Sequence, residues 1–79
     1  LAENKIRSNA ILPGAILTRM QKRWTKDKAL AKAVASKIPL RRIGSAIDIA
    51  NATAFLLSDS ASYITGTELI VDGGIMALP

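Results

Sequence analysis

The sequence contains no cysteine and no histidine, and only 4% of its 79 residues are aromatic. Without histidine, imidazole acid–base chemistry and histidine-ligated metal sites are excluded. Without cysteine, neither disulfides nor thiolate metal sites can stabilise the chain. The hydrophobic core of so short a chain contributes only about 3–5 kcal/mol. The length therefore fits one small domain or a part of a larger one.

Long apolar runs are also missing. A membrane-spanning helix needs about 20 apolar residues, and no run in this sequence approaches that length. Nothing resembles a signal peptide. We therefore expect a cytoplasmic protein with no membrane contact. Because the chain begins at Leu1 and its first methionine is Met20, we also expect it to be part of a longer translation product.

Acidic residues are few, and the formal net charge is +5. The basic excess is concentrated between residues 19 and 42, where Asp27 is the one acid among Arg19, Lys22, Arg23, Lys26, Lys28, Lys32, Lys37, Arg41 and Arg42. Such a run is either a solvated helix face or a surface that attracts phosphate or nucleic acid. Trp24 is its only aromatic residue, so base stacking has little support and nucleic acid is not the expected partner.

A buried strand over residues 6–12 is predicted, and it stops abruptly at Pro13-Gly14. Its apolar residues do not alternate, as in a central strand covered on both faces. Asn9 lies inside it, and we expect this amide to tie the strand to a neighbouring loop, because buried amides need partners. Residues 13–18, the Pro-Gly loop, follow. Ligands bind beyond the carboxyl ends of strands in open α/β sheets.

Two helices and a second strand are predicted after this loop. Residues 19–37 have a helical pattern without a clear N-terminal cap, and they form either a mobile lid or an ordinary surface helix.

Ser45 and Asp48 form a capping box that opens a helix to about Leu57. This helix is apolar nearly all round, which implies a sheet on one side and another chain or missing sequence on the other. Residues 67–71 form the second strand, and two strands need partner strands for stability.

Seven segments of the sequence carry a recognisable pattern: residues 5–11, 13–18, 38–44, 48–50, 55–59, 62–66 and 71–74. In this order they resemble the short-chain dehydrogenases/reductases. The first looks like the sixth strand of that family, the second like its nicotinamide loop, the next two like the entry to the following helix, and the last three like the signature running into the last strand. The resemblance spans nearly the whole chain apart from the variable insert at residues 19–37.

This resemblance implies that residues 1–79 are the carboxyl-terminal segment of a single Rossmann-fold domain. The fold class is then α/β, with the last two strands of a doubly wound parallel sheet and their intervening helices. The complete protein would transfer a hydride between NAD or NADP and a small-molecule alcohol or carbonyl substrate. The remaining amino-terminal part of the protein would be its partner, and the family commonly forms tetramers.

Particular residues inherit roles from the same resemblance. The implied cofactor-binding residues lie in the Pro-Gly loop: Pro13, Gly14, Ile16, Leu17 and Thr18. The insert at residues 19–37 would be the substrate lid, and Met20 and Trp24 are the residues best suited to touch an apolar substrate. The alternative for Thr18 is a cap of the following segment.

No catalytic residue is expected in this chain. The family's glycine-rich phosphate loop, its Tyr-x-x-x-Lys pair and its partnering serine are absent from the sequence. Tyr63 has a threonine four residues on, at position 67, and it matches a structural turn of the family. Two alternative functions remain: a non-catalytic Rossmann-type scaffold or binding module, and a basic nucleic-acid-binding fragment.

Overall fold

The computed structural model describes residues 1–18 and 26–79, which form an α/β arrangement. The strands are β1 (Ala10–Pro13), β2 (Ile16–Leu17), β3 (Gly44–Ser45) and β4 (Glu68–Val71). The helices are α1 (Lys28–Ser36) and α2 (Ala46–Leu57), and 3₁₀ turns occupy Ala2–Asn4, Asp59–Ala61 and Ile75–Ala77. The predicted order of strand, helix, helix and strand is confirmed, with the short strands β2 and β3 added to it.

The strands β1 and β4 are parallel neighbours, with Ala10 opposite Glu68 and Pro13 opposite Val71. The first strand is shorter than the predicted residues 6–12 because the residues before Ala10 bond to a loop instead. The Ser8 amide donates to Thr65 Oγ1 at 3.1 Å, and the Gly66 amide donates to the Ser8 carbonyl at 2.8 Å. The strand β1 therefore begins only where β4 lies beside it.

Asn9 ties β1 to the loop that precedes β4, as predicted. Its Nδ2 donates to the Ile64 carbonyl at 3.1 Å, and its Oδ1 accepts from the Thr67 amide at 3.1 Å. One side chain thus satisfies a backbone acceptor and a backbone donor of the same loop. This bridge sets the register in which the two strands enter the sheet.

The helix α2 begins with the predicted capping box of Ser45 and Asp48 and packs on β1 and β4. Leu56 faces the sheet and is only 7% exposed. On the opposite face, Ile47 is 61% exposed and Leu57 is 78% exposed. The sheet covers one side of this apolar helix, and the other side lies open in this chain.

The helix α1 lies within the segment predicted to be helical, and the predicted start of that segment at residue 19 lies outside the described residues. Asp27 caps α1, because the Asp27 Oδ1 accepts from the Leu30 amide at 3.0 Å, and aspartate is a favoured cap. Ala31, Val34 and Ala35 are half-buried, whereas Leu30 is exposed.

Among the described residues, the enclosed hydrophobic side chains are Ile38, Leu56 and Ala61. Ile38, directly after α1, is 2% exposed. No helix in residues 1–18 and 26–79 has the length and apolar character that a membrane crossing requires.

Candidate functional site: the Pro-Gly loop

The Pro-Gly loop leaves the sheet where β1 and β4 both end. Pro13 is the last residue of β1 and lies opposite Val71. The next amide, that of Gly14, donates to the Val71 carbonyl at 3.0 Å. Because the strands are parallel, the loop starts at their shared carboxyl edge, where open α/β sheets bind ligands.

Gly14 lies directly against the residue that follows β4. A Cβ added to Gly14 would lie 2.6 Å from the Asp72 Cβ and 2.8 Å from the Asp72 Cα. Any side chain at position 14 would therefore separate the loop from the end of β4. Glycine is needed here for close approach of two backbones.

The carboxylate of Asp72 is used by the turn that follows it. Its Oδ1 accepts from the Gly74 amide at 2.8 Å, and its Oδ2 accepts from the Met76 amide at 2.9 Å. Within residues 1–18 and 26–79, no group of acidic side chains is arranged to hold a metal ion. Asp72 thus shapes the turn that supports Gly14.

The second half of the loop is held by β3. Ile16 and Leu17 form β2, which is parallel to β3, with Ile16 opposite Gly44 and Leu17 opposite Ser45. The Gly44 amide donates to the Ala15 carbonyl at 2.9 Å. A Cβ on Gly44 would lie 2.6 Å from the Ile16 Cδ1. The loop is therefore fixed at two points, first by β4 and then by β3.

Asp48 in turn fixes β3. Its Oδ2 accepts from the Ser45 amide at 2.8 Å and from the Ser45 hydroxyl at 3.1 Å. The Arg42 guanidinium donates to both carboxylate oxygens, at 2.8 Å and 3.1 Å. Four donors thus converge on one carboxylate, in the bidentate geometry that makes an arginine–carboxylate pair specific.

This network also sets the charge of the pair. The hydrogen bond from Arg42, followed by that from the Ser45 amide, holds the pKa of Asp48 well below its usual range. The hydrogen bond to Asp48 raises the pKa of Arg42. Both groups therefore stay charged around neutral pH. They hold the backbone in place and are unsuited to exchanging protons with a substrate.

A cleft of about 200 Å³ opens between the loop and these holding segments. Ala15 and Ile16 line it from the loop, Arg42 and Asp48 from the ion pair, and Asp72 from the end of β4. The cleft brings together both supports of the Pro-Gly loop.

The structure places five of the predicted site residues on one short path. Pro13 and Gly14 lie at the end of the sheet, Ile16 and Leu17 lie in β2, and Thr18 follows directly. Pro13, Gly14, Leu17 and Thr18 are exposed, and Ile16 is half-buried. The predicted substrate residues Met20 and Trp24 lie outside the described residues.

Two supporting residues were not recognised as part of the site from the sequence. Gly44 and Asp72 contact the loop although both lie far from it in the sequence. The sequence signal for their role was only their position, Gly44 shortly before a helix and Asp72 directly after a strand. Tyr63, which the sequence argument kept out of the catalytic role, has a fully exposed side chain.

Comparison with known proteins gives the family. A family model described as enoyl-(acyl carrier protein) reductase matches residues 1–76. The peroxisomal 2,4-dienoyl-CoA reductase of Saccharomyces cerevisiae is 51% identical over 78 residues, which cover 92% of this chain and 25% of the relative. The chain belongs to the short-chain dehydrogenase/reductase family.

Solved structures of short-chain dehydrogenases/reductases share this architecture. A 4-hydroxyisoleucine dehydrogenase complexed with NADH superposes with a TM-score of 0.89 at 35% identity, covering 99% of this chain and 32% of that chain. A putative 2-deoxy-D-gluconate 3-dehydrogenase of Agrobacterium tumefaciens with bound NADP gives a TM-score of 0.81 at 44% identity, covering 92% and 30%. The predicted fold, part of a Rossmann-type parallel sheet, is confirmed.

This short-chain dehydrogenase/reductase chain spans between a quarter and a third of those proteins: 25% of the yeast reductase and 30% and 32% of the two structures. Its similarity extends over nearly all of its own residues.

Proposed function

We propose that this chain works as the carboxyl-terminal third of an NAD(P)-dependent oxidoreductase. The complete enzyme transfers a hydride between the nicotinamide of NAD or NADP and an alcohol or carbonyl carbon of a small molecule. The catalytic acid–base residues belong to the preceding part of the protein. The observation that carries this proposal is the Pro-Gly loop, held against β3 and β4 at the carboxyl edge of the sheet.

The Pro-Gly loop is the cofactor contact in this proposal. In this proposal, backbone groups around Gly14, Ile16 and Leu17 contact the planar nicotinamide carboxamide. The Thr18 hydroxyl, exposed at the end of β2, donates to the carboxamide or to a pyrophosphate oxygen. Pro13 directs the loop out of the sheet because it cannot continue the ladder of hydrogen bonds.

The insert at residues 19–37 is the substrate lid in this proposal. Its described part, residues 26–37, includes α1, a largely exposed helix that Asp27 caps. Met20 and Trp24 are the side chains proposed to touch an apolar substrate. Substrate-induced closure of such a lid would exclude water from the hydride transfer.

The open apolar face of α2 and the strand β4 are the proposed subunit interface, with a homotetramer as the expected assembly. Ile47 and Leu57 leave large apolar side chains exposed on this face, and exposed apolar patches mark interaction surfaces. A cytoplasmic location is part of the same proposal, and microscopy of the tagged full-length protein tests it.

The test of the cofactor role uses the full-length protein with Thr18→Val. Titration with NADH and NADPH, followed by nicotinamide fluorescence, should show binding to the wild type and about tenfold weaker binding to the variant, which corresponds to about 1.4 kcal/mol. Thr18→Ser keeps the hydroxyl and should restore binding. Ser60→Ala, in an exposed turn, is the matched control and should change nothing.

Two results would contradict this proposal. The first is a wild-type protein that binds neither cofactor, which would favour the non-catalytic scaffold. The second is a Thr18→Val variant whose affinity equals that of the wild type, which would leave Thr18 as a cap of the segment after it.

A further inference from the structure

The segment before β3 has an unusual backbone. Arg41 has a φ of +61°, a left-handed conformation that residues other than glycine seldom adopt. The Leu40 amide donates to the Gly73 carbonyl at 3.1 Å, and the Arg41 amide donates to the Ile38 carbonyl at 2.8 Å. These two hydrogen bonds fix a turn of the backbone immediately before Arg42. Strained backbone of this kind persists where the surroundings determine it, often beside a functional site.

Arg42 does more at this turn than helix capping requires. A capping box consists of two reciprocal bonds, from the Asp48 amide to the Ser45 side chain and from the Ser45 amide to the Asp48 carboxylate, and both are present. The guanidinium adds two further bonds to the same carboxylate. The ion pair therefore restrains the backbone between residues 42 and 48, which includes Ser45. This restraint fixes the position of β3, the strand that pairs with Ile16 and Leu17.

Water reaches this pair, chiefly at Arg42, and this limits what the pair contributes to stability. The side chain of Arg42 is 57% exposed and that of Asp48 is 28% exposed. Ion pairs between solvent-exposed side chains contribute little to stability, because water and salt screen them. Their geometry still restricts the backbone between them. Removing the pair should therefore change the position of β3 more than it changes the stability of the fold.

We propose that the Arg42–Asp48 pair is a positioning device that sets the affinity for the nicotinamide half of the cofactor. The pair holds β3, β3 holds the second half of the Pro-Gly loop, and the loop presents its backbone to the nicotinamide. This proposal rests on the cofactor role of the loop. Neither side chain needs to touch the cofactor. The adenosine half of the cofactor is bound by other parts of the protein and should not sense the pair.

The test compares two ligands in the full-length protein. NADH or NADPH contains the nicotinamide, whereas ADP-ribose, or its 2′-phosphate for an NADP enzyme, lacks it. Asp48→Asn and Arg42→Gln should each weaken the binding of the reduced cofactor about tenfold. Both should leave the affinity for ADP-ribose within about twofold of the wild-type value. The KM for the cofactor should rise while the KM for the alcohol or carbonyl substrate stays the same.

The controls separate positioning from folding. Asp59→Asn removes an exposed carboxylate in the turn after α2 and should change the affinity for neither ligand. Asp48→Glu preserves the acceptor, suits a capping box and should restore much of the affinity. The double variant of Arg42 and Asp48 should bind no more weakly than Asp48→Asn alone, because Arg42 acts through that carboxylate.

Each outcome has a distinct meaning. Equal weakening of both ligands, together with a lowered melting temperature, would make the pair a folding element and overturn this proposal. Unchanged binding of both ligands to the variants would also overturn it, although the cofactor role of the loop would stand. A wild-type protein that binds neither ligand would instead remove the proposed function and this proposal with it.

Discussion

Gly14 leaves so little space between the Pro-Gly loop and the end of β4 that a single methyl group is a test of the site. In Gly14→Ala, the new Cβ would lie 2.6 Å from the Asp72 Cβ, so the backbone must move. We expect the full-length protein to lose about 1–3 kcal/mol of stability, as overpacked sites do. We also expect weaker cofactor binding. Chemical denaturation and cofactor titration measure the two effects.

Gly66→Ala is the matched control for this substitution. Gly66 has a φ of +73°, and an added Cβ would meet nothing within 4 Å. The control therefore strains the backbone without crowding a neighbour, and it lies outside the Pro-Gly loop. It should reduce stability while leaving cofactor affinity unchanged. If both variants bind the cofactor as well as the wild type does, close approach at Gly14 has no role in the site.

At the scale of single residues, local patterns were predictable and distant contacts were not. The capping box of Ser45 and Asp48 follows from residue types three positions apart, and Asn9 was expected to bond to a loop because it is an amide inside an apolar strand. The approach of Gly14 to Asp72 depends on how β1 and β4 align. Sequence spacing alone carries no information on such a contact.

Adjacent leucines in α2 show how one element serves two surfaces. Leu56 is 7% exposed and Leu57 is 78% exposed. In the full-length protein, we expect Leu56→Ala to lower the free energy of unfolding by about 2–5 kcal/mol, because the change leaves a cavity against the sheet. This loss should be the same at every protein concentration. Urea denaturation, repeated at several protein concentrations, measures it.

Leu57→Lys tests the other surface of the same helix. We expect it to shift the assembly towards smaller species in sedimentation or size-exclusion experiments, because a charge at the centre of an apolar interface is costly. Its fold should remain intact in circular dichroism. An assembly that stays unchanged in Leu57→Lys and in Ile47→Lys would place the subunit interface elsewhere.

The helices also show where sequence patterns mislead about whole elements. The helical pattern over residues 19–37 has no clear cap at its start, which lies outside the described residues, whereas α1 has a cap of its own, Asp27. Asp27 is a single acid within a basic run, so the charge pattern hides its role as a cap. The first strand was predicted to start at Ile6, whereas β1 starts at Ala10, because the backbone before Ala10 bonds to a loop rather than to a strand.

At the scale of the whole molecule, residues 1–18 and 26–79 enclose three hydrophobic side chains, and their larger sheet has two strands. Isolated two-stranded sheets are marginal in water. We expect the purified 79-residue chain to melt without a sharp transition in circular dichroism and to catalyse no alcohol–carbonyl conversion with NAD(P). Supplying the preceding part of the protein as a separate chain should restore cooperative melting. A sharp transition, or activity, in the chain alone would contradict this expectation.

The parallel pairing of β1 with β4 has a consequence for the protein during its synthesis. The Pro-Gly loop leaves the ribosome before the strand and turn that support Gly14, which include Val71 and Asp72. At translation rates of about 5–20 residues per second, the loop waits roughly three to twelve seconds for that support. A polypeptide released before β4 emerges would carry every residue of the loop and its pairing with β3, without the support that β4 and Asp72 give to Gly14. The loop thus reaches its final position only after residue 72 has been synthesised.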